Sequence, residues 1–126
     1  MARKRMIHPQ IWIDNKFLKL PNDEAKLLFI GMTNFANDEG FFEYSIIEIK
    51  CQVLPASESS HKQIEDYIKT MVKLDLWEIG RDEQDRKLLR YKNWHKHQKI
   101  NHKTAVDNCF IEFTKEEKES YINTNV

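Results

Sequence analysis

Between positions 25 and 36 the apolar residues recur at helical spacing. Ala25, Leu28, Met32, Phe35 and Ala36 form one stripe, widened by Leu27, Ile30 and Gly31, which predicts a largely buried helix. The segment Pro21-Asn22-Asp23-Glu24 opens it: Asn22 is placed to cap, and two acids meet the positive end of the helix dipole. Asn37-Asp38-Glu39-Gly40 is a turn signal that ends it. Phe41, Phe42 and Tyr44 then suggest a short strand. Ser45-x-x-Glu48 fits a capping box ahead of a second helix, Ile46 to Val53, stopped by Pro55. Ser60-x-x-Gln63 is another box, and Ile64, Tyr67, Ile68, Met71 and Val72 continue at three- and four-residue steps, so an amphipathic helix runs from Ser60 to Lys73. Leu76, Trp77 and Ile79 open a strand, 80–86 is a charged hairpin tip, and 87–94 is the returning strand.

The flanks carry weaker patterns. Residues 6–20 read as an extended segment that packs across the domain, because Pro9 discourages helix at His8 and because Ile11 and Ile13 alternate with Trp12 and Asp14. Beyond the hairpin, Phe110, Ile111 and Phe113 suit one more strand. Thr114-x-x-Glu117 suits the start of a last helix with Tyr121 and Ile122 on its inner side. Trp12, Trp77 and Trp94 sit at strand-like positions and are expected in the core. The order helix, short strand, helix, turn, helix, hairpin predicts an α+β, mainly α fold: a winged helix-turn-helix, three helices plus a two-stranded β wing. The expected division is a domain at 1–103 and a short C-terminal extension at 104–126.

Composition narrows the function. The chain has 126 residues, 40 % hydrophobic and 32 % charged, which suits one soluble domain. No apolar run approaches the ~20 residues that span a bilayer, and no apolar segment follows the basic N-terminus, so neither a membrane anchor nor a secretory signal is expected. Cys51 and Cys109 lie in apolar contexts and are expected as buried thiols in a reducing cytoplasm. The chain lacks GxxxxGK[ST], GxSxG and GxGxxG, and holds only 3 glycines, so no enzyme and no cofactor are expected. His95, His97 and His102, with Asp107 or Cys109, invite comparison with a metal site. They are set aside because no CxxC or HExxH accompanies them and their surroundings are basic. Formal net charge is zero but unevenly spread. Residues 6–85 hold 8 basic and 15 acidic groups, whereas 86–103 hold 7 basic groups and no acid. Such a local field attracts a polyanion even on a neutral chain.

The segments RMIHPQIW at 5–12, LLFIGM at 27–32, ANDEGFF at 36–42 and WHKHQKI at 94–100, read together, resemble the N-terminal winged-helix region of bacteriophage replication proteins. These are the replisome-organiser type, loosely related to the DnaD primosomal proteins. The resemblance covers residues 3–103. It implies DNA binding at a replication origin, self-association and helicase recruitment in a bacterial host. Family members commonly continue beyond the KHQK segment into a linker and a second domain, whereas here 23 residues follow position 103. The chain is therefore expected to be either a truncated or a free-standing form; if free-standing, helicase-related roles assigned to the missing part do not carry over.

By analogy with winged helices, the helix from Ser60 to Lys73 reads the major groove and the wing touches phosphate. The DNA-binding candidates are Ser60, Lys62, Lys69 and Lys73 on that helix, Arg86, Lys87, Arg90 and Lys92 on the hairpin, and Lys96 and Lys99 after it. Arg3, Lys4 and Arg5 are expected to form a minor-groove arm. Strand alternation turns Arg90 and Lys92 away from Leu89 and Tyr91. Glu65 and Asp66 on the helix, and Asp82, Glu83 and Asp85 at the tip, oppose a phosphate backbone. A competing reading is a protein-interaction module, for dimerisation or for docking or inhibiting a host factor, since winged helices also serve in that way.

Overall fold

Capping chemistry sets the helix boundaries. In the computed structural model, which describes residues 4–98 and 109–123, the Asp14 carboxylate accepts from the Phe17 N–H at 2.9 Å and opens the one-turn helix α1, Asn15–Leu18. Asn22 Oδ1 accepts from the Ala25 N–H at 2.9 Å and opens α2, Asp23–Gly31. Ser45 Oγ accepts from Glu48 N–H to start α3, Ile46–Val53. Ser60 and Gln63 exchange side-chain and backbone bonds at 3.2 and 2.9 Å, a reciprocal box that starts α4, His61–Lys73. A short α5, Trp94–His97, follows the hairpin. Thr114 and Glu117 make a second reciprocal pair, both bonds 3.2 Å, at the start of α6, Lys115–Asn123.

Four antiparallel strands lie in the order β1-β3-β2-β4: β1 is Phe41–Glu43, β2 Trp77–Arg81, β3 Lys87–Tyr91 and β4 Ile111–Glu112. The register places Trp77 opposite Tyr91, Ile79 opposite Leu89 and Arg81 opposite Lys87. With a period of two, these residues share one face of the sheet, and Phe42, paired to Leu89, joins them. That face carries the core against the helices: Trp77, Ile79 and Leu89 are buried with Leu28 of α2, Ile49 of α3, and Ile64, Ile68 and Met71 of α4. The opposite face carries Glu78, Gly80, Leu88, Arg90 and Phe41.

Several sequence expectations change. The sheet has four strands rather than a two-stranded wing, because β1 pairs with β3 and the C-terminal β4 pairs with β2. Residues 6–20 are not extended: Pro9–Ile13 form a 3-10 turn and α1 follows, since proline is accepted in a first helical turn. The helix expected to reach Ala36 stops at Gly31 and tightens into a 3-10 turn, Met32–Asn34. A Cβ at Gly31 would lie 2.5 Å from Val53, so α2 and α3 approach there too closely for a side chain. The returning strand ends at Tyr91 because Asn93 takes a left-handed conformation, φ 59°, and turns the chain into α5. Trp77 and Trp94 are buried, but Trp12 is 59 % exposed. Both cysteines are exposed, not buried: Cys51 lies on the outer side of α3, and Cys109 donates to Glu83 at 3.4 Å. Among the described residues no helix is long and apolar enough to cross a membrane.

Candidate nucleic-acid interface

The N-terminal basic residues divide. Lys4 is exposed, and Arg3 lies outside the described residues. Arg5 is not part of a free arm. Its guanidinium donates to the Thr33 carbonyl at 3.0 Å and the Ala36 carbonyl at 2.9 Å, stands 3.4 Å from Asp38 Oδ1, and lies 5.0 Å from the centroid of a Trp94 ring. The Arg5 and Asp38 side chains are only 5 % and 1 % exposed. Partners 28 to 33 residues away pull this arginine into the fold.

On α4, Lys62, Glu65, Asp66, Lys69 and Lys73 follow a helical stripe away from the core. Lys62, Asp66 and Lys73 are exposed, and Ser60 caps the helix at its first turn. Lys69 is largely covered: its ammonium lies 3.4 Å from Glu65 and 5.6 Å from the centroid of the Tyr121 ring on α6.

The basic stretch 86–103 does not form one surface. Arg86, at the hairpin tip, donates to Asp82 at 2.8 Å. Asp82 itself is buried, and its other oxygen accepts the Gln84 and Arg86 N–H groups at 2.9 Å, so this acid builds the turn instead of repelling a ligand. Lys87 sits on the core-side face at the tip, 5.7 Å from the Tyr44 ring centroid. Arg90 does turn away from Leu89 and Tyr91, as alternation requires, but it is only partly exposed: it meets Glu78 at 3.3 Å and lies 4.1 Å from the Phe110 ring centroid. Lys92 is beyond the other end of β3, roughly 16 Å along the strand from Lys87, in the field of Asp75. Lys96 is exposed on α5, and Lys99 lies outside the described residues. Tip, back face and base each hold part of the charge.

The structure adds a residue that the sequence reading missed. Arg81 follows Trp77 and Ile79 on the core-side face and pairs with Glu117 of α6, with Asp85 at 2.9 Å and with the Phe113 ring, whose centroid is 4.6 Å away. The signal was the alternation of β2, which carries position 81 onto the face of α4. Glu117 is held well below its ordinary value of 4.5, at about 2, by Arg81 first and by the Thr114 backbone N–H next. A lowered carboxyl contributes fully above its unfolded value and loses that contribution as pH falls toward the folded one. A carboxyl-carbon NMR titration is expected to place Glu117 near pH 2, and Arg81→Met to return it toward the ordinary range. A native midpoint in the ordinary range would show that the pair does not form in solution.

The remaining C-terminal contacts are also specific. Tyr121 and Tyr44 hydroxyls are 3.0 Å apart, and burial pushes both above the usual phenol range, so the pair stays neutral. Lys118 donates to Asp75 at 2.8 Å and holds that carboxyl below its ordinary value. Among the described residues no three His, Cys, Asp or Glu side chains converge on a common point, and His102 and Asp107 lie outside them. No family model, no curated protein and no solved structure matches this chain.

Proposed function

We propose that the chain is a winged-helix module that binds double-stranded DNA, with α4 as the reading helix and the β2–β3 hairpin as the wing. The observation that carries this reading is the order α2-β1-α3-α4-β2-β3, with β1 laid against β3 on the side away from β2. It is a helix-turn-helix followed by a β ribbon, in which the second helix of the pair is the one presented to the major groove. Lys62 and Lys73 stand exposed along α4. Arg81, Arg86 and Lys87 cluster at the hairpin end, within reach of phosphates flanking a groove about 12 Å wide. Lys92 and Lys96 stand apart from this surface, so the reading rests on α4 and the hairpin tip rather than on the whole 86–103 stretch. The resemblance of residues 3–103 to phage replication proteins supplies a setting: origin binding or replisome organisation in a bacterial cytoplasm.

Fluorescence anisotropy of a labelled duplex across a salt series tests this. About four phosphate contacts give a log–log salt slope of roughly −3 to −4. Lys62→Glu and Lys73→Glu are each expected to weaken binding roughly tenfold on all sequences alike, and to flatten the slope by about one unit or more. No binding to any duplex at low salt overturns the reading. A second reading, a protein-interaction module, is favoured by six large apolar side chains between residues 6 and 27 that are at least 48 % exposed: Met6, Ile7, Trp12, Ile13, Leu18 and Leu27. Light scattering on the same samples separates the two, since a stable dimer without duplex affinity selects the second.

A further inference from the structure

We infer that β4 and α6 are an intramolecular occupant of the DNA surface, an anionic cover that competes with duplex for the angle between α4 and the hairpin. This rests on the DNA reading above.

The placement follows from the sheet register. Arg81 and Lys87 lie opposite one another on the face that packs against α4, at the hairpin end beyond the core. A duplex held by both helix and wing has to enter that angle, and α6 already fills it. At one side Tyr121 carries the Lys69 ammonium of α4 on its ring and bonds Tyr44. At the other side Glu117 pairs with Arg81, and Phe113 lies against the same guanidinium. A carboxylate on an arginine fork supplies the charge and geometry that a phosphate would supply there. Across 111–123, Glu112, Glu116, Glu117 and Glu119 outnumber Lys115 and Lys118, a net charge of −2.

The cover is also built to detach. No residue of α6 is fully buried, and both residues of the two-residue β4 are exposed. The cover's apolar hold is three partly buried side chains, Phe113, Tyr121 and Ile122, and an element held at so few points opens more easily than the core it rests on. Its seat is Gly80: a Cβ there would stand 2.5 Å from the Ile111 carbonyl oxygen and 2.6 Å from the Phe110 ring. A missing side chain on the wing is what admits the strand.

Three full-length variants read this out by anisotropy with a labelled duplex. Gly80→Ala pushes β4 off its seat with no change of charge. Glu117→Gln takes the α6 carboxylate off Arg81 and leaves the guanidinium with Asp85 of the hairpin tip at 2.9 Å. Glu119→Gln changes charge equally, but at an exposed position without a partner among the described residues. Gly80→Ala and Glu117→Gln are expected to bind roughly tenfold more tightly than the native chain, the range in which a lost charge-assisted contact acts, and Glu119→Gln to stay within about threefold of it. Adding duplex to the native chain is expected to raise hydrogen exchange at 111–123. Equal affinity of the native chain, Gly80→Ala and Glu117→Gln, with the native chain binding, overturns the cover and leaves the DNA reading standing. So does a gain in Glu119→Gln matching that in Glu117→Gln. No binding by any of the four proteins at low salt overturns both. Near-ultraviolet circular dichroism monitors folding, and should Gly80→Ala fail to fold, Glu117→Gln and the exchange measurement still decide.

Discussion

Asp38→Ala is expected to cost about 3–5 kcal/mol of folding stability, the usual result of removing one member of a buried ion pair. The Arg5 guanidinium that remains would be 5 % exposed, held only by the Thr33 and Ala36 carbonyls and the face of Trp94. Those carbonyls satisfy N–H donors but carry no net charge to offset a desolvated cation. A domain of this size has about 5–15 kcal/mol in total, so the variant would be near the edge of folding. With a urea dependence of about 1–3 kcal/mol per molar, the midpoint should fall by roughly 2 M. Asp38→Asn, which keeps the shape and loses the charge, should lose most of the same stability. A midpoint shift under about 0.5 M for both would show that Arg5 leaves its site at little cost, which would restore the free basic arm.

Trp77→Ala is the second large effect, about 3–5 kcal/mol, as for other aromatic truncations in a packed core. Trp77 is 0 % exposed and opens β2, with ring centroids at 5.1 Å to Phe42, 5.6 Å to Tyr91 and 5.9 Å to Phe29. These rings come from β1, β3 and α2, so the indole joins the sheet to the helix layer. Among the described residues its Nε1 has no hydrogen-bond partner, and the indole stabilises chiefly by area and ring contact. Trp77→Phe, which deletes that polar atom and keeps an aromatic ring, should therefore cost less than Trp77→Ala. Thermal and urea unfolding read both. Equal losses in the two variants would mean that ring contact contributes little there.

What could be read from the residues followed the range of the interactions. Asn22, Ser45, Ser60 and Thr114 act on N–H groups three residues ahead, so four helix starts were visible in the chain itself. The core stripe of α4 was visible for the same reason, because helical periodicity is local. Trp12 was misplaced because nothing near it in sequence says that Phe17 turns inward and leaves the indole outside. Arg5 was misplaced because its partners lie on the segment after α2. The charge of 86–103 was the plainest signal in the composition, and the least faithful. Glu78, Asp82 and the Phe110 ring, supplied by other strands and the turn, take up Arg86 and Arg90. Counting charges along a chain cannot reveal such pairing across it.

Gln98 joins the N-terminal segment to the end of α5 through its side-chain amide: Oε1 accepts from the Met6 N–H at 2.9 Å, and Nε2 donates to the Met6 carbonyl at 2.8 Å. Both bonds go to the main chain, and the Met6 side chain itself is 48 % exposed. Position 6 is thus held by its peptide groups, whatever its side chain. Nineteen amino acids offer Gln98 the same donor and acceptor, and proline, with no N–H to give, is the one that breaks the clamp.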